Sequence, residues 1–552
     1  MKYINPIIVV LITFIVLLIN FNWGLPTSNR SDLVFEDKTE LNKNIQGIVA
    51  VKEKIGRFKE NKRIPGHILD RDELLHQAVR EFLLIPYAGD DYITLSTIKN
   101  LNPYKLQFDP KHYIYGGGLI YTGAVFLQAA EWLGYVKLIP DEAYYMKNPQ
   151  EIGKLYTVLR FMIILFAVVG INLVYHLARK LFGERIALLS WVIILATPVT
   201  HQASHTIEPH IFALPLFMIS FLFTVKSING NSKQIRRCYV VSAIFAGISI
   251  GTQSTSLYIV FPFFASLVIN YKNKNVKAKN VYKYILMYII ISIGSCLLLN
   301  PFYLLNYEGF FSDINSGTGS VFYQNIHFWL PYQITWFLLL LFTITIIFHL
   351  IKCRNDYYVM LSLSCIIPGI LVYFMTNTLL PYVYSIIPLL AILTAIMLTD
   401  VCAGLKGRIK AVMIIVMVVL FLAFPVTRSA YYLRNFTSEN RDFAGKWINN
   451  NVPKGSTIGV SYPPTNWDCV AFRFFNYNLV DYHKINSGNM EHFPDFVLTV
   501  EQPLPERLSN KYSVVKVYKP KSILGYRVVI GGELHSLIAK TIRIYSLNDK
   551  SG

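Results

Sequence analysis

Between residues 155 and 426 the chain is a series of apolar stretches separated by short basic clusters, a pattern that few folds accommodate. A helix needs about 20 apolar residues to cross a bilayer, and in lipid every main-chain polar group must be satisfied within the segment. Crossings are expected near 155–176, 186–199, 209–225, 239–251, 256–269, 284–305, 332–351, 357–376, 379–398 and 411–426. With 5–23 at the start, the total is about eleven. The residues after Asn20 form no small-residue cleavage site, so 5–23 reads as an uncleaved anchor rather than a removed signal peptide.

Composition fits this class: of 552 residues, 53% are hydrophobic and only 15% charged. A net charge of +19 would suit nucleic acid, but the cations fall between the apolar runs. Arg179, Lys180 and Arg185, then Lys226, Lys233, Arg236 and Arg237, then the lysines of 272–283, Lys352 and Arg354, and finally Lys406, Arg408 and Lys410 share one side if 239–269 crosses twice. Positive charge marks that side as the cytoplasm, with the N-terminus on it and the plasma (inner) membrane as the site. The outer side then receives Asp90, the turn at 201–208, the loop at 306–331 and everything beyond 427. Six scattered cysteines without a CxxC give no disulfide framework or zinc site.

The expected fold is therefore a polytopic α-helical membrane protein with a long first outer loop and a small C-terminal α/β soluble domain. Its parts are a first helix in 1–26, the outer loop 27–154, a helical bundle at 155–427 and the outer-face domain 428–552. In the loop, apolar residues at helical spacing over 41–58 and 74–83 predict amphipathic helices on the membrane or a neighbouring domain. Gln128, Glu131 and Trp132 interrupt 117–136, which is not counted as a crossing. Beyond 428, a short helix is expected at 443–447 and strands at 456–460, 496–500, 513–518 and 541–545.

Chemistry points first to Asp90 and Asp91 in Tyr87-Ala-Gly-Asp-Asp-Tyr92. A transfer to a hydroxyl needs a base within hydrogen-bond reach, and a partly buried carboxylate suits that work. Against this, Asp90 could simply cap a helix starting near Ile93. Glu208, with His201, His205 and His210 nearby, could hold a divalent metal, yet the spacing matches no standard site and fits a hydrogen-bonded polar patch lining a cavity better. Arg160, inside the second crossing, could bind a phosphate headgroup or snorkel to the interface. His327, Arg428 and Arg434 read as exposed outer cations, and Trp23, Trp329, Trp336, Tyr382 and Tyr384 as an interfacial aromatic belt.

Together these motifs resemble a family. The acidic pair is followed by Leu95-x-x-Ile98-x-Asn100-Leu-Asn-Pro103, Phe108-Asp-Pro110 and Tyr113-x-Tyr115-Gly116. Further on come Leu159-Arg160, Tyr175-His-Leu-Ala-Arg179-Lys-Leu-Phe-Gly183, the turn from Thr197-Pro198 to Pro209, and Leu380-Pro381-x-x-Tyr384-x-x-x-Pro388-Leu-Leu. The set is similar to the GT-C membrane glycosyltransferases, of the dolichyl-phosphate-mannose protein mannosyltransferase and aminoarabinose transferase type.

The resemblance implies a glycosyltransferase that moves a sugar from a polyprenyl-phosphate carrier to a protein, lipid or glycan on the outer face, by direct displacement with inversion. It implies Asp90 and Asp91 as the catalytic acids, and Arg160, Glu208, His205 and Tyr115 as residues that bind the donor or line its cavity. It names no metal ligand; a divalent ion would be an addition, and the lipid-linked sugar is the donor substrate. The partners are that donor, its acceptor and membrane lipids, without nucleic acid. Some sixty residues separate the acidic pair from the first helix, and they contain Asp72-Glu73, a rival pair. Leu380 lacks the nearby Arg that relatives often carry for the phosphate, and the absence of a Trp-Trp-Asp motif argues against whole-oligosaccharide transfer to Asn. The alternatives are a transporter or flippase of an envelope glycolipid precursor and a non-catalytic envelope scaffold.

Overall fold

In the computed structural model, which describes residues 5–60, 70–228, 230–315, 335–352, 356–375, 384–403, 407–437, 439–466, 468–482, 493–501, 503–522 and 540–548, the chain forms two units. One comprises Met1–Phe21, Thr94–Phe126 and Leu159–Ala430, the other Asn22–Ile93, Leu127–Val158 and Tyr431–Gly552. His327, Trp329, Tyr382 and the Leu380-Pro381 pair lie outside the described residues.

Among the described residues, six helices are long and apolar enough to cross a membrane: Pro149–Phe182, Pro209–Lys226, Ser232–Thr252, Ser254–Lys272, Ala278–Leu299 and Ile415–Asn435. A seventh is added if Glu184–Ala196 and Pro198–Ser204, bent by 67°, form one broken crossing. Pro6–Leu18, Trp336–Ile351, Tyr357–Tyr373 and Ile386–Val401 are apolar but shorter. Each apolar stretch expected from the sequence thus has its helix, while six or seven reach crossing length.

Local sequence explains several boundaries. Proline at the first helical position lacks only an N–H that would have no partner there, and Pro6, Pro198 and Pro209 use that position. The Asn5 side chain accepts from the Ile7 N–H at 3.0 Å and caps the first helix. Gly183, at φ 91°, makes the reversal between Pro149–Phe182 and Glu184–Ala196. Between helices, hydroxyls substitute for the hydrophobic drive that lipid removes. Thr224 and Ser220 contact the Ser242 hydroxyl at 2.8 and 3.1 Å, and Asn270 donates to the Tyr239 hydroxyl at 3.0 Å. Such contacts are worth about 0.6–2 kcal/mol each.

The Tyr115-Gly-Gly-Gly run begins a helix at Gly117 where three backbones meet. Gly116 donates to the Thr252 carbonyl at 3.2 Å and Gly117 to the Asn300 side chain at 2.7 Å. A Cβ on Gly116 would lie 1.9 Å from the Gly251 carbonyl oxygen, and one on Gly118 2.0 Å from the Thr252 hydroxyl.

In the second unit, helices Ser28–Val34, Lys38–Glu60, Arg71–Leu84 and Glu439–Asn451 accompany a five-stranded sheet. Its strands are β1 (Thr457–Val460), β2 (Asn478–Asp481), β3 (Phe496–Val500), β4 (Tyr512–Tyr518) and β5 (Ile542–Leu547), in the order β2-β1-β3-β5-β4. β1 is parallel to β2 and β3, whereas β5 runs antiparallel to β3 and β4. The two expected amphipathic helices are present, and their apolar faces are buried through Leu41, Ile45, Ile48, Ala78, Phe82 and Leu83. Asn449 donates to the Leu33 carbonyl at 2.9 Å and the Tyr462 hydroxyl to the Arg71 carbonyl at 2.7 Å, so the long loop and the C-terminal segment share one unit.

Two outcomes test this packing. Gly118→Val should lower the unfolding midpoint by the equivalent of about 1–3 kcal/mol, and an unchanged midpoint would rule out the close approach at Thr252. Lys540 is buried, and burial foremost, together with the Arg441 charge, brings its ammonium down to about 7. The unfolded chain then holds more protons than the folded one from about pH 7 up to its ordinary value of about 10.4, so this group makes stability rise with pH through that window. Lys540→Met should therefore raise the unfolding midpoint most at pH 6, with the gain shrinking by pH 9; parallel pH profiles would exclude a depressed ammonium.

Candidate functional site

Helix Arg71–Leu84 stops at Ile85, and the bends at Tyr87 and Ala88 and the turn at Gly89 lead into the helix Asp90–Ile98. Asp90 is thus not the cap of a helix starting near Ile93: the helix starts at Asp90 itself, and both aspartates occupy its first turn. Negative charge is favoured there by the exposed N–H groups of a helix start. Asp90 is exposed to solvent, whereas Asp91 is 0% exposed. Asp90 is therefore open to molecules approaching from solvent, whereas Asp91 is a buried carboxylate.

In the rival pair, Glu73 has a structural task. Asp70 accepts from the Glu73 N–H at 2.9 Å while the Glu73 carboxylate accepts from the Asp70 N–H at 3.1 Å, a reciprocal capping box that starts helix Arg71–Leu84. Asp72 lies exposed in the same first turn.

The other predicted residues belong to the first unit. Arg160 is 0% exposed, and its guanidinium donates to the Phe21 carbonyl at 2.9 Å. His205 is equally buried and its Nε2 meets the Ile19 carbonyl at 2.8 Å. Both therefore serve carbonyls just past helix Pro6–Leu18, where a helix lacks internal partners. Burial excludes snorkelling of Arg160 in this conformation.

Glu208 does not gather three histidines. His210 Nε2 contacts its carboxylate at 2.6 Å, but His201 turns to the Leu195 carbonyl and His205 to that of Ile19, each at 2.8 Å. Gln253 continues the line, contacting His210 Nδ1 at 3.2 Å and Thr255 at 3.0 Å. Among the described residues no three His, Cys, Asp or Glu side chains are placed to hold a metal ion. Thr94 donates to the Ile207 carbonyl at 2.8 Å, fixing the turn before Glu208 to helix Asp90–Ile98.

Tyr115 is buried at the glycine crossing, and the motif before it forms a hydrogen-bonded corner. Tyr113 donates to Asp109 at 2.7 Å, Asn306 to the same carboxylate at 3.2 Å, and Asn100 to the Pro110 carbonyl at 2.7 Å. Of the residues expected in an aromatic belt, Trp336 is 58% exposed, whereas Trp23 and Tyr384 are buried in the protein. Tyr384 instead shares a hydrogen bond of 3.0 Å with Thr200. Sequence reasoning missed Arg30 and Arg441, both buried, whose guanidiniums each lie 4.2 Å from the Tyr87 ring centroid. No local pattern announces a contact across that separation in the chain.

Comparison with known proteins follows this geometry. Residues 143–299 match the family model described as dolichyl-phosphate-mannose-protein mannosyltransferase. Among solved structures, ArnT from Cupriavidus metallidurans in the apo state is similar with TM-score 0.43 and 13% identity, over 84% of this chain and 95% of that one. The same protein bound to undecaprenyl phosphate gives 0.41 and 13%, over 85% and 93%. The Archaeoglobus fulgidus oligosaccharyltransferase in complex with zinc and sulfate gives 0.40 and 14%, over 69% and 55%. No curated protein sequence matches the chain. The resemblance read from the motifs is borne out over the stretch that carries Arg160 and Glu208: the chain is similar to the membrane mannosyltransferases of the dolichyl-phosphate-mannose type.

Proposed function

We propose that the protein is an integral membrane glycosyltransferase that takes a sugar from a polyprenyl-phosphate carrier and passes it to a hydroxyl acceptor on the outer face of the membrane. The observation that carries this reading is the mannosyltransferase match over 143–299, which includes the buried Arg160 and the Glu208–His210 pair. The apolar helices supply the setting that a lipid-borne donor requires. ArnT, bound in one structure to undecaprenyl phosphate, illustrates such a carrier in a protein of similar description.

In this reading Asp90 is the base. Its exposed carboxylate takes the proton of the acceptor hydroxyl as the oxygen attacks the anomeric carbon, and the carrier phosphate leaves with the electrons of the broken bond. Attack opposite the leaving group inverts the anomeric configuration. Asp91 holds the first helical turn in place. Arg160 and Glu208, with His205 and Tyr115, belong to the donor side; because Arg160 is buried, a carrier phosphate meets it only by entering the protein.

The reading is tested by mass spectrometry of lipid-linked sugars and envelope glycans from cells with and without the protein. One lipid-linked donor should accumulate while one conjugate disappears, and the conjugate should carry the anomer opposite to the donor's. Unchanged profiles would remove the transferase reading, and uptake by proteoliposomes without any glycosidic product would favour a transporter. Within the transferase, Asp90→Asn should lower transfer by about 10²–10⁴-fold, the span of a positioned general base, in a protein that still folds. Intact transfer in that variant would dismiss Asp90.

A further inference from the structure

Tyr87 begins the run that presents the acidic pair, and its surroundings are more elaborate than a loop needs. Its main-chain N–H donates to the Gly24 carbonyl at 2.9 Å, and Gly24, at φ 64°, sits so close that a Cβ there would lie 3.0 Å from that of Tyr87. Arg30, 2% exposed, donates to the Gly24 and Leu25 carbonyls at 2.8 and 3.2 Å and to those of Phe82 and Ile85 at 3.1 and 2.9 Å. Arg441, 7% exposed, donates to the Asn466 and Cys469 carbonyls. The Asn466 side chain returns to the Glu81 and Ile85 carbonyls at 2.9 and 3.2 Å. Both guanidiniums share the Tyr87 ring, each 4.2 Å from its centroid.

Two like charges held beside one aromatic ring are favoured by its electron-rich faces, and guanidiniums fixed by carbonyls cannot follow a ring that leaves. Ile85, the residue where helix Arg71–Leu84 ends, is bonded from both sides by Arg30 and Asn466. Only Ala88 and Gly89 separate Tyr87 from Asp90, so the ring is the last fixed point before the acids. Its hydroxyl is buried and meets no hydrogen-bond partner among the described residues, so the ring rather than the phenol makes the attachment.

We propose that Tyr87 is a positioning residue: its ring, shared by Arg30 and Arg441, fixes the point from which the chain enters helix Asp90–Ile98, whose first turn carries Asp90 and Asp91. The consequence for transfer rests on the reading of Asp90 as the base; the attachment itself does not. Arg441 belongs to helix Glu439–Asn451, so the C-terminal segment governs the geometry of the acidic helical turn through this ring.

Hydrogen exchange of the full-length protein in detergent, compared among wild type, Tyr87→Phe and Tyr87→Leu, tests the attachment without any substrate. Tyr87→Leu should raise exchange in peptides covering 86–93 at least tenfold, leave β1 and β3 unchanged, and Tyr87→Phe should match wild type. Wild-type exchange in Tyr87→Leu, or a Tyr87→Phe variant as loose as Tyr87→Leu, overturns the proposal. If Tyr87→Leu does not fold, Arg441→Lys replaces it, and exchange at 86–93 must rise there for the proposal to stand. In cells, Tyr87→Leu should lower conjugate formation at least tenfold and Tyr87→Phe should restore it. If exchange responds as described but Asp90→Asn leaves the conjugate intact, the catalytic reading falls and the attachment survives.

Discussion

Buried arginine bonded to main-chain carbonyl is the interaction on which the rest depends. It appears at Arg160 with Phe21, at Arg30 with the carbonyls of 24, 25, 82 and 85, and at Arg441 with those of 466 and 469. A guanidinium stays charged at any ordinary pH, so burying it is costly unless its donors are met. Carbonyls at helix ends and turns have the converse need, because the chain leaves them without internal partners. Each hydrogen bond to a charged group is worth about 1.5–3 kcal/mol, and removing one partner strands the other. These arginines therefore act as junctions: each fixes chain termini that no regular element would hold.

On the proposed reading, the junctions sit where a transferase would need rigidity. In one unit, Arg160 and His205 secure the end of the first helix beside the turn that leads to Glu208. In the other, Arg30 and Arg441 secure the loop before Asp90. A base must lie within hydrogen-bond reach of the proton it removes, and a loop free to wander would forfeit most of the benefit of positioning. Within one helical turn Asp90 is exposed and Asp91 buried, so on the proposed reading only Asp90 meets an acceptor directly.

Much of this was legible in sequence because it is local. The apolar runs, the amphipathic spacing at 41–58 and 74–83, and four of the five strands follow from periodicity and turn residues. β2 escaped because Asn478-Leu-Val-Asp481 is short and polar at both ends, and it gains its place by pairing with β1. The histidines misled for a related reason. Spacing put His201, His205 and His210 near Glu208, but the carbonyls of Leu195 and Ile19 hold the first two. The capping box likewise accounts for Glu73, a role the sequence pattern Asp70-x-x-Glu73 carries but that an eye set on acid pairs overlooks. Contacts between distant segments, such as Arg441 on Tyr87, leave no trace in either period.

The burial of Arg160 also constrains how a donor would be used. An interfacial arginine would meet a lipid phosphate at the headgroup level, with no change inside the protein. A guanidinium with no exposed surface, already bonded to Phe21, receives a phosphate only after the chain around residues 19–21 and 205 yields space. His205 and Arg160 grip neighbouring carbonyls of the same short stretch, so displacing one strains the hold of the other. On the proposed reading, donor entry at Arg160 would be linked to the end of the first helix, whose Ile19 and Phe21 carbonyls His205 and Arg160 hold.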